Sequence, residues 1–329
     1  MASITRTNAD SNQNLSGTDN WKHIRDQQQR RQRIRKALLT AATLVIVLIF
    51  LYPIYFWITA SVRPFQEIFA VPPQIAITET TDAWWSVVIG GRSYADVVRE
   101  QAGAAATATG GAGTSGFYVV PYLIDSIIIG LTSTFVVIVV GSITSYGLSR
   151  FHFRAKQNVA FFIISTRFMP PIAVALPLFL IYTELGWIDT YHGLILAHTV
   201  INLPIAILLM KSFFDDIPQD LDEAAMVDGA TRWGAFWRVT VRLATPGIAA
   251  AAVLSMIFSW NEFLLTLYLT RFEIRTIPVA MSTFDSSSGG TQWGFLAAAG
   301  SAAMIPVFIF ILFVQRHLVR GLTLGAVRG

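Results

Sequence analysis

Arg167 and Glu262 are the two clear cases of a charge within apolar runs of this chain. Arg167 stands just before the pair Pro170-Pro171, and Glu262 follows Trp260-Asn261. A charge inside a segment long enough to cross a bilayer is costly, so such residues commonly face a polar path or find a partner. Arg167, Asn261 and Glu262 together carry donors and acceptors that can hydrogen-bond a hydroxylated solute. Equally, Arg167 and Glu262 can pair with each other as structural partners. Pro170 and Pro171 must interrupt the helical hydrogen-bond ladder, and a break at membrane depth is tolerated only where the backbone faces protein or a water-filled path. Covalent chemistry has little to stand on. The chain has no cysteine, which excludes disulfides, thiolate metal sites and cysteine nucleophiles. His23, His152, His192, His198 and His317 are scattered without metal-ligand spacing. His198, inside an apolar run, reads as a core histidine satisfied by a neighbour. No glycine-rich loop ends in Lys-Ser or Lys-Thr, so ATP is not expected to bind here in the usual way. The expectation is a chain with no catalytic residue, no metal and no cofactor of its own.

A second constellation lies in the polar break from Ile217 to Pro246, IPQDLDEAAMVDGATRWGAFWRVTVRLATP. Leu221, Ala224, Ala225 and Asp228 fall at i, i+3, i+4 and i+7, giving one narrow face of small, nearly apolar residues that another backbone can approach closely. Asp228-Gly229 supplies a stop, because glycine tolerates the left-handed conformation that ends helices. Thr231 can cap a second helix, on which Trp233, Phe236, Trp237 and Val241 share a face. Two short helices meeting at a glycine elbow between apolar segments are suited to receive a partner.

The elements that must position these residues are membrane spans. The chain is 53% hydrophobic and 13% charged, far below the charge content of soluble domains. Apolar runs long enough to cross a bilayer recur at 37–58, 122–146, 158–182, 194–213, 248–269 and 295–313. The first is too long for the core of a signal peptide and is read as retained. Tyr52, Tyr55 and Trp57 lie near its far end, where aromatic rings suit the interface. Six spans place both termini on one side. That side holds eight Lys or Arg in 1–37, three in 147–158, four in 211–246 and three in 314–329. The other holds three in 61–121, none in 183–193 and two in 270–294, so the positive-inside bias puts the termini and the elbow in the cytoplasm. A basic stretch at 21–36 could suggest nucleic acid, but directly before a span it reads as a topology signal. Gly141, Ser142 and Ser145, and the alanines from Ala297 to Ala303, are expected to let helices pack closely. Residues 1–20 are polar without apolar period and are expected to be disordered. Trp84, Trp85 and Val87 to Ile89 are expected to form a short helix on the membrane surface. The Ala/Gly-rich run 101–116 cannot bury enough surface to fix itself.

Glu223-Ala224-Ala225, followed by Asp228-Gly229-Ala230 and closed by Pro246, resembles the EAA loop of bacterial ATP-binding-cassette importer permeases. Phe213-Phe214-Asp215-Asp216-Ile217-Pro218 and Gly321-Leu322-Thr323 with Gly325-Ala326-Val327 resemble the carbohydrate, maltose-type branch. The likeness covers roughly 37–329, and departs where Val241-Arg242 replace the family's usual Leu-Pro pair. The resemblance implies an all-α membrane protein with six transmembrane helices, the type I importer permease fold. It comprises a basic tail over 1–36, a permease domain over 37–329, an outer insertion at about 80–116 and a coupling loop over 214–246. Asp222, Glu223, Ala224, Ala225, Asp228, Gly229 and Ala230 are then the residues that couple to an ATPase. The implied partners are a second, similar permease, two ATPase subunits that carry ATP and Mg, and a periplasmic or lipid-anchored solute-binding protein. No nucleic acid partner is implied. The implied activity is import of a sugar, polyol or small oligosaccharide across the bacterial inner membrane by alternating access. An anionic solute such as a sugar phosphate is the nearest alternative, with Arg167 as its contact. A secondary transporter would call for paired broken helices in repeated halves, and no internal repeat is visible.

In the maltose-type branch the outer loop before the last span reaches into the binding protein, and position carries that role to Asp285, Ser286, Ser287, Ser288, Gly289, Gly290, Thr291 and Gln292. Their hydroxyl and amide groups can replace hydrogen bonds of the bound solute. Deleting 287–291 is expected to lower uptake while binding-protein affinity, assembly and basal ATP hydrolysis stay near normal. Wild-type uptake after the deletion would remove the proposed role.

Overall fold

The computed structural model describes residues 7–68, 70–71, 76–90, 92, 96–97, 100, 119–282 and 293–325. All regular structure among them is helical. The chain divides into two units, Met1–Trp57 and Ile58–Gly329. The first is occupied by helix α1, Thr7–Ala60, whose segment Gln28–Ala60 is long and apolar enough to cross a membrane. Leu38, Leu48 and Phe50 are all exposed along it, as a lipid-facing surface requires. The helix is longer than the apolar run: it starts at Thr7, so residues 7–20, expected to be disordered, are drawn into it. No proline stands between Thr7 and Pro53 to stop it.

In the second unit, α2 (Phe65–Ile68) and α3 (Ala83–Ile89) precede the long α4 (Val120–Arg150). Next come α5 (Lys156–Ser165), a 3-10 turn (Thr166–Phe168), α6 (Pro171–Leu185) and α7 (Tyr191–Asp215). The elbow follows as α8 (Asp220–Val227), α9 (Arg232–Ala235), a π-helical turn (Phe236–Thr240) and α10 (Val241–Leu243). Helices α11 (Thr245–Trp260), α12 (Leu264–Leu269), α13 (Ile277–Ser282) and α14 (Trp293–Gly325) complete it. Among the described residues, four helices are long and apolar enough to cross a membrane, and up to six spans result if two bent pairs each count as one. Those pairs are Lys156–Phe168 with Pro171–Leu185, bent by 95°, and Arg232–Leu243 with Thr245–Trp260, bent by 76°. The first bend sits at Pro170-Pro171, as the missing amide hydrogens dictate. The expected fifth span, 248–269, is not continuous. Helix α11 ends at Trp260, and Glu262 Oε1 accepts the Leu265 N–H at 2.9 Å, starting α12 as a separate helix. A carboxylate at a helix N-terminus is favourable, so Glu262 itself stabilises the interruption.

Helices α4, α7 and α11 form the centre of the second unit, and α14 lies against α11. With lipid outside, apolar burial discriminates weakly, and close packing through small residues does more. A Cβ on Gly141 would stand 2.5 Å from Met210 Cε, and one on Gly247 2.3 Å from Phe213 Cγ. Ser145 Oγ donates to the Ile207 carbonyl at 2.9 Å, and Ser133 Oγ lies 3.0 Å from Ser259 Oγ. Ala297, Ala298, Ala299, Ala302 and Ala303 are all buried.

Helix α3 corrects a second expectation. It does form, but Trp84, Val87 and Val88 are buried in one cluster with Val97, Val119, Phe295 and Ala298 rather than lying on a membrane surface. Trp84 Nε1 donates to the Arg63 carbonyl at 2.9 Å, and a Cβ on Gly294 would meet its ring at 2.4 Å. The first part of 80–116 is therefore a built layer against α14. Residues 101–116 and the loop 283–292 lie outside the described residues, so the expectations for both stand as sequence readings.

Asp189 organises the turn between α6 and α7. It takes a left-handed conformation (φ 60°), which Asp tolerates better than most residues. Its carboxylate accepts the backbone N–H groups of Phe272, Glu273 and Ile274 at 2.9, 2.9 and 3.1 Å. Burial pushes this carboxyl up, but the N–H groups together hold it below the ordinary carboxylate range. A lowered folded pKa contributes stability above the ordinary value, and that stability is lost as pH falls through the folded one. The thermal midpoint of the purified protein should therefore fall as the pH is lowered below the ordinary Asp range of about 4, and part of that fall should vanish in Asp189→Asn. Identical pH profiles for the two proteins would refute the clamp.

Candidate functional site

The elbow is assembled around one buried ion pair. Arg150, the last residue of α4, places Nε 2.7 Å from Asp222 Oδ2 on α8, and both side chains are 6% exposed. Its remaining donors reach the Phe214 carbonyl at 2.9 Å and the Ile217 carbonyl at 3.0 Å, at the end of α7 and the turn that follows. The other carboxylate oxygen, Asp222 Oδ1, accepts the Thr240 hydroxyl at 2.6 Å. One carboxylate thus joins the end of a span, the first limb of the elbow and the second. The planar, multi-donor guanidinium is what makes this possible, since an ammonium cannot present donors in a fixed fork. Around the pair pack Tyr146, Phe214, Phe236 and Ala244, with Tyr146 and Phe236 ring centroids 4.7 Å apart.

The turn itself follows the sequence. Gly229 has φ 88°; its N–H donates to the Met226 carbonyl at 3.1 Å, and the Ala230 N–H donates to the Ala225 carbonyl at 3.0 Å. These two bonds form a Schellman stop, which requires a left-handed residue at Gly229. Thr231 caps the second limb by accepting the Gly234 N–H at 3.1 Å. The expected single face of that limb is split, however. Phe236 and Thr240 are buried, whereas Trp233 and Trp237 are exposed and Val241 is only half-buried. The π turn over Phe236–Thr240 explains this, because its extra residue breaks the α-helical spacing on which the expectation rested. Of the coupling candidates, only Asp222 is buried. Glu223, Ala224, Asp228 and Gly229 are exposed, and Ala225 and Ala230 are half-buried. With Leu221, Val227, Trp233 and Trp237 also exposed, the elbow offers an apolar surface bordered by acids.

The intramembrane candidates meet at a cleft of about 380 Å³ lined by Arg167, Ile201, Asn202, Ile257, Phe258, Asn261 and Glu262. Arg167 and Glu262 share it without forming an ion pair. Arg167 instead lies 5.1 Å over the Phe258 ring and donates to the Ile201 carbonyl at 3.4 Å. Glu262 is engaged in starting α12, and Asn261 Nδ2 donates to the Ile257 carbonyl at 2.8 Å. Pro170 and Pro171 do not line the cleft. They are exposed, and they make the bend that carries Arg167 to it. His198 is buried, with Nδ1 2.7 Å from Ser259 Oγ and Nε2 3.1 Å from Thr266 Oγ1, the satisfied core histidine expected. Sequence reasoning missed two residues here, Arg150 and Asn202. Arg150 had been counted only as a topology charge, and a lone Asn in an apolar run gives little signal.

Residues 137–324 match the family described as binding-protein-dependent transport system inner membrane component. The chain belongs to this family. The match spans the cleft, the elbow and the outer loop. Among its relatives, the trehalose transport system permease protein SugB of Mycobacterium tuberculosis is 42% identical over 209 residues, 63% of this chain and 76% of that protein. The trehalose/maltose transport system permease protein MalG of Thermococcus litoralis is 34% identical over 63% of this chain and 75% of its own length. The arabinooligosaccharides transport system permease protein AraQ of Bacillus subtilis is 28% identical over 90% of this chain and 97% of its own. In fold, the chain resembles a crystal structure of a bacterial ABC transporter for alginate, with TM-score 0.65 at 19% identity over 87% of this chain and 97% of that one. The family member described here is thus a multi-pass membrane permease with the helical fold of ABC importers.

The buried pair generates a test. Removing one partner of a buried ion pair leaves an uncompensated charge, at a cost of about 3–5 kcal/mol. Asp222→Ala should therefore sharply lower the thermal midpoint of the detergent-purified protein. The double variant Arg150→Met, Asp222→Met should recover much of the loss. A single variant as stable as wild type would show that the pair does not hold the elbow.

Proposed function

We propose that this permease is one transmembrane subunit of an ATP-driven, binding-protein-dependent importer of a sugar, polyol or small oligosaccharide in the bacterial cytoplasmic membrane. The observation that carries the reading is the elbow: an exposed apolar face on two short helices, fixed to the ends of α4 and α7 by a buried ion pair. Such a surface suits docking into a cleft of a moving partner. The partner is an ATPase pair, which carries ATP and Mg, while this chain contributes no covalent chemistry. A second, similar permease completes the path, and a solute-binding protein delivers solute from outside. Closure of the ATPase pair pulls the elbow, the elbow pulls α4 and α7 through Arg150, and the spans change which side the cleft faces. The saccharide class is supported by relatives named for trehalose, maltose and arabinooligosaccharides. A neutral solute fits the cleft better than an anion, because Glu262 stands in it with Arg167.

Two substitutions test the coupling. Glu223→Lys reverses an exposed charge on the docking surface, and Gly229→Val forces a β-branched residue into the left-handed region, at about 1–2 kcal/mol or more. Both should abolish uptake while leaving the protein in the membrane at near wild-type amounts. If transport-coupled ATP hydrolysis by the assembled complex survives both changes, the coupling role is wrong. Uptake of a sugar phosphate with no uptake of neutral sugars would replace the saccharide reading with the anionic one.

A further inference from the structure

Asn202 lies on α7 at the wall of the cleft and is 1% exposed. Its Nδ2 donates to the His198 carbonyl at 2.9 Å, one turn back on the same helix. A carbonyl can only accept, so this bond fixes which end of the amide is nitrogen and leaves Oδ1 on the other side. Among the described residues, Oδ1 has no hydrogen-bond partner. A buried acceptor left unpaired costs roughly 1–3 kcal/mol, so an arrangement that holds one in place beside a cleft calls for a reason. His198 itself cannot move to relieve it. Its two ring nitrogens are taken by Ser259 and Thr266, which anchors this turn of α7 to α11 and α12.

We infer that Asn202 Oδ1 is a solute contact in the translocation cleft, accepting a hydrogen bond from a hydroxyl group of a neutral saccharide as it passes. The inference rests on the proposed function and deepens it, because it assigns solute contact to this subunit. The chemistry around the acceptor fits a polyhydroxylated neutral molecule. Arg167 supplies donors and Glu262 an acceptor, and the two formal charges offset each other. Phe258, Ile201 and Ile257 give the apolar wall on which the C–H face of a sugar ring can rest. Arg167 is held loosely, by one 3.4 Å bond and a ring contact, so it can turn toward a hydroxyl without leaving a strong partner. Asn202 Oδ1 is shielded from water in this conformation, so the solute reaches it only when the cleft widens during transport.

The test uses the assembled complex, with both permeases, the ATPase pair and the binding protein, in proteoliposomes. Asn202→Leu keeps the volume and removes the unpaired acceptor. The initial rate of uptake of radiolabelled trehalose and maltose should fall about tenfold, the scale of one good hydrogen bond. The thermal midpoint should stay unchanged or rise, because a buried unsatisfied group has been removed. A residue with a merely structural role would lose both together, so a fall in uptake matched by a fall in thermal midpoint overturns the inference. Wild-type uptake by Asn202→Leu overturns it also, leaving the importer reading intact. Failure of the wild-type complex to take up either sugar is a different result: it removes the saccharide reading and this contact with it.

Discussion

The attachment of the elbow to the membrane helices depends on the Arg150–Asp222 contact. A buried ion pair adds little net stability, since desolvation offsets most of its attraction, but breaking it is expensive. What such a pair supplies is a fixed relation between the parts it joins. Here the parts are the last turn of α4, the end of α7, and both limbs of the elbow through Thr240. Without it, α8 would be a short helix tethered by a turn, and a force applied to it would be lost in flexing. With it, both limbs of the elbow are fixed to two of the central helices.

A second constraint acts in the membrane, where every backbone polar group must be satisfied internally. Among the described residues, helices are interrupted at Met169-Pro170 and at Asn261-Glu262. Both interruptions adjoin the same cleft. At the first, the 95° bend swings Arg167 inward. At the second, the side chains of Asn261 and Glu262 serve the freed backbone, bonding Ile257 and Leu265. The two charges that could have paired are engaged separately: Arg167 with the Ile201 carbonyl and the Phe258 ring, Glu262 with the start of α12.

Much of this was legible in the chain, and the parts that were not share a cause. Asp228-Gly229 and Thr231 declare a stop and a start because capping is local, set by residues within four positions. The double proline declares a bend for the same reason. The Arg150–Asp222 bond spans 72 positions, and nothing near Arg150 distinguishes it from other basic residues after a span. The burial of Trp84 depends on Gly294, more than two hundred residues away, leaving room for an indole ring. The face of the second limb was misjudged because a π turn changes the period without changing any residue type. In a membrane protein, moreover, apolar patterning does not separate lipid-facing from core-facing positions as it does in water, so which face of α4 or α7 points inward had to come from the small residues.

The two bends then acquire a common meaning. One joins the limb Arg232–Leu243 to α11 at 76°, and the other joins the 3-10 turn carrying Arg167 to α6 at 95°. The elbow adjoins the first bend directly, because α10 runs into α11 with only Ala244 between them. Helix α11 ends at Trp260, and Asn261 and Glu262 that follow it line the cleft. In the proposed transport cycle, a rotation of the docking surface would be delivered along α11 to the wall that bears Phe258, and through Arg150 to α7, which bears Asn202. The two walls of the cleft thus hang from the two limbs of one elbow. A hinge that opened only one of them would require the Asp222–Thr240 bond to break, which would expose a buried carboxylate oxygen to an apolar surround. In the proposed transport cycle the Asp222–Thr240 bond keeps the two limbs in step while the walls they carry move apart.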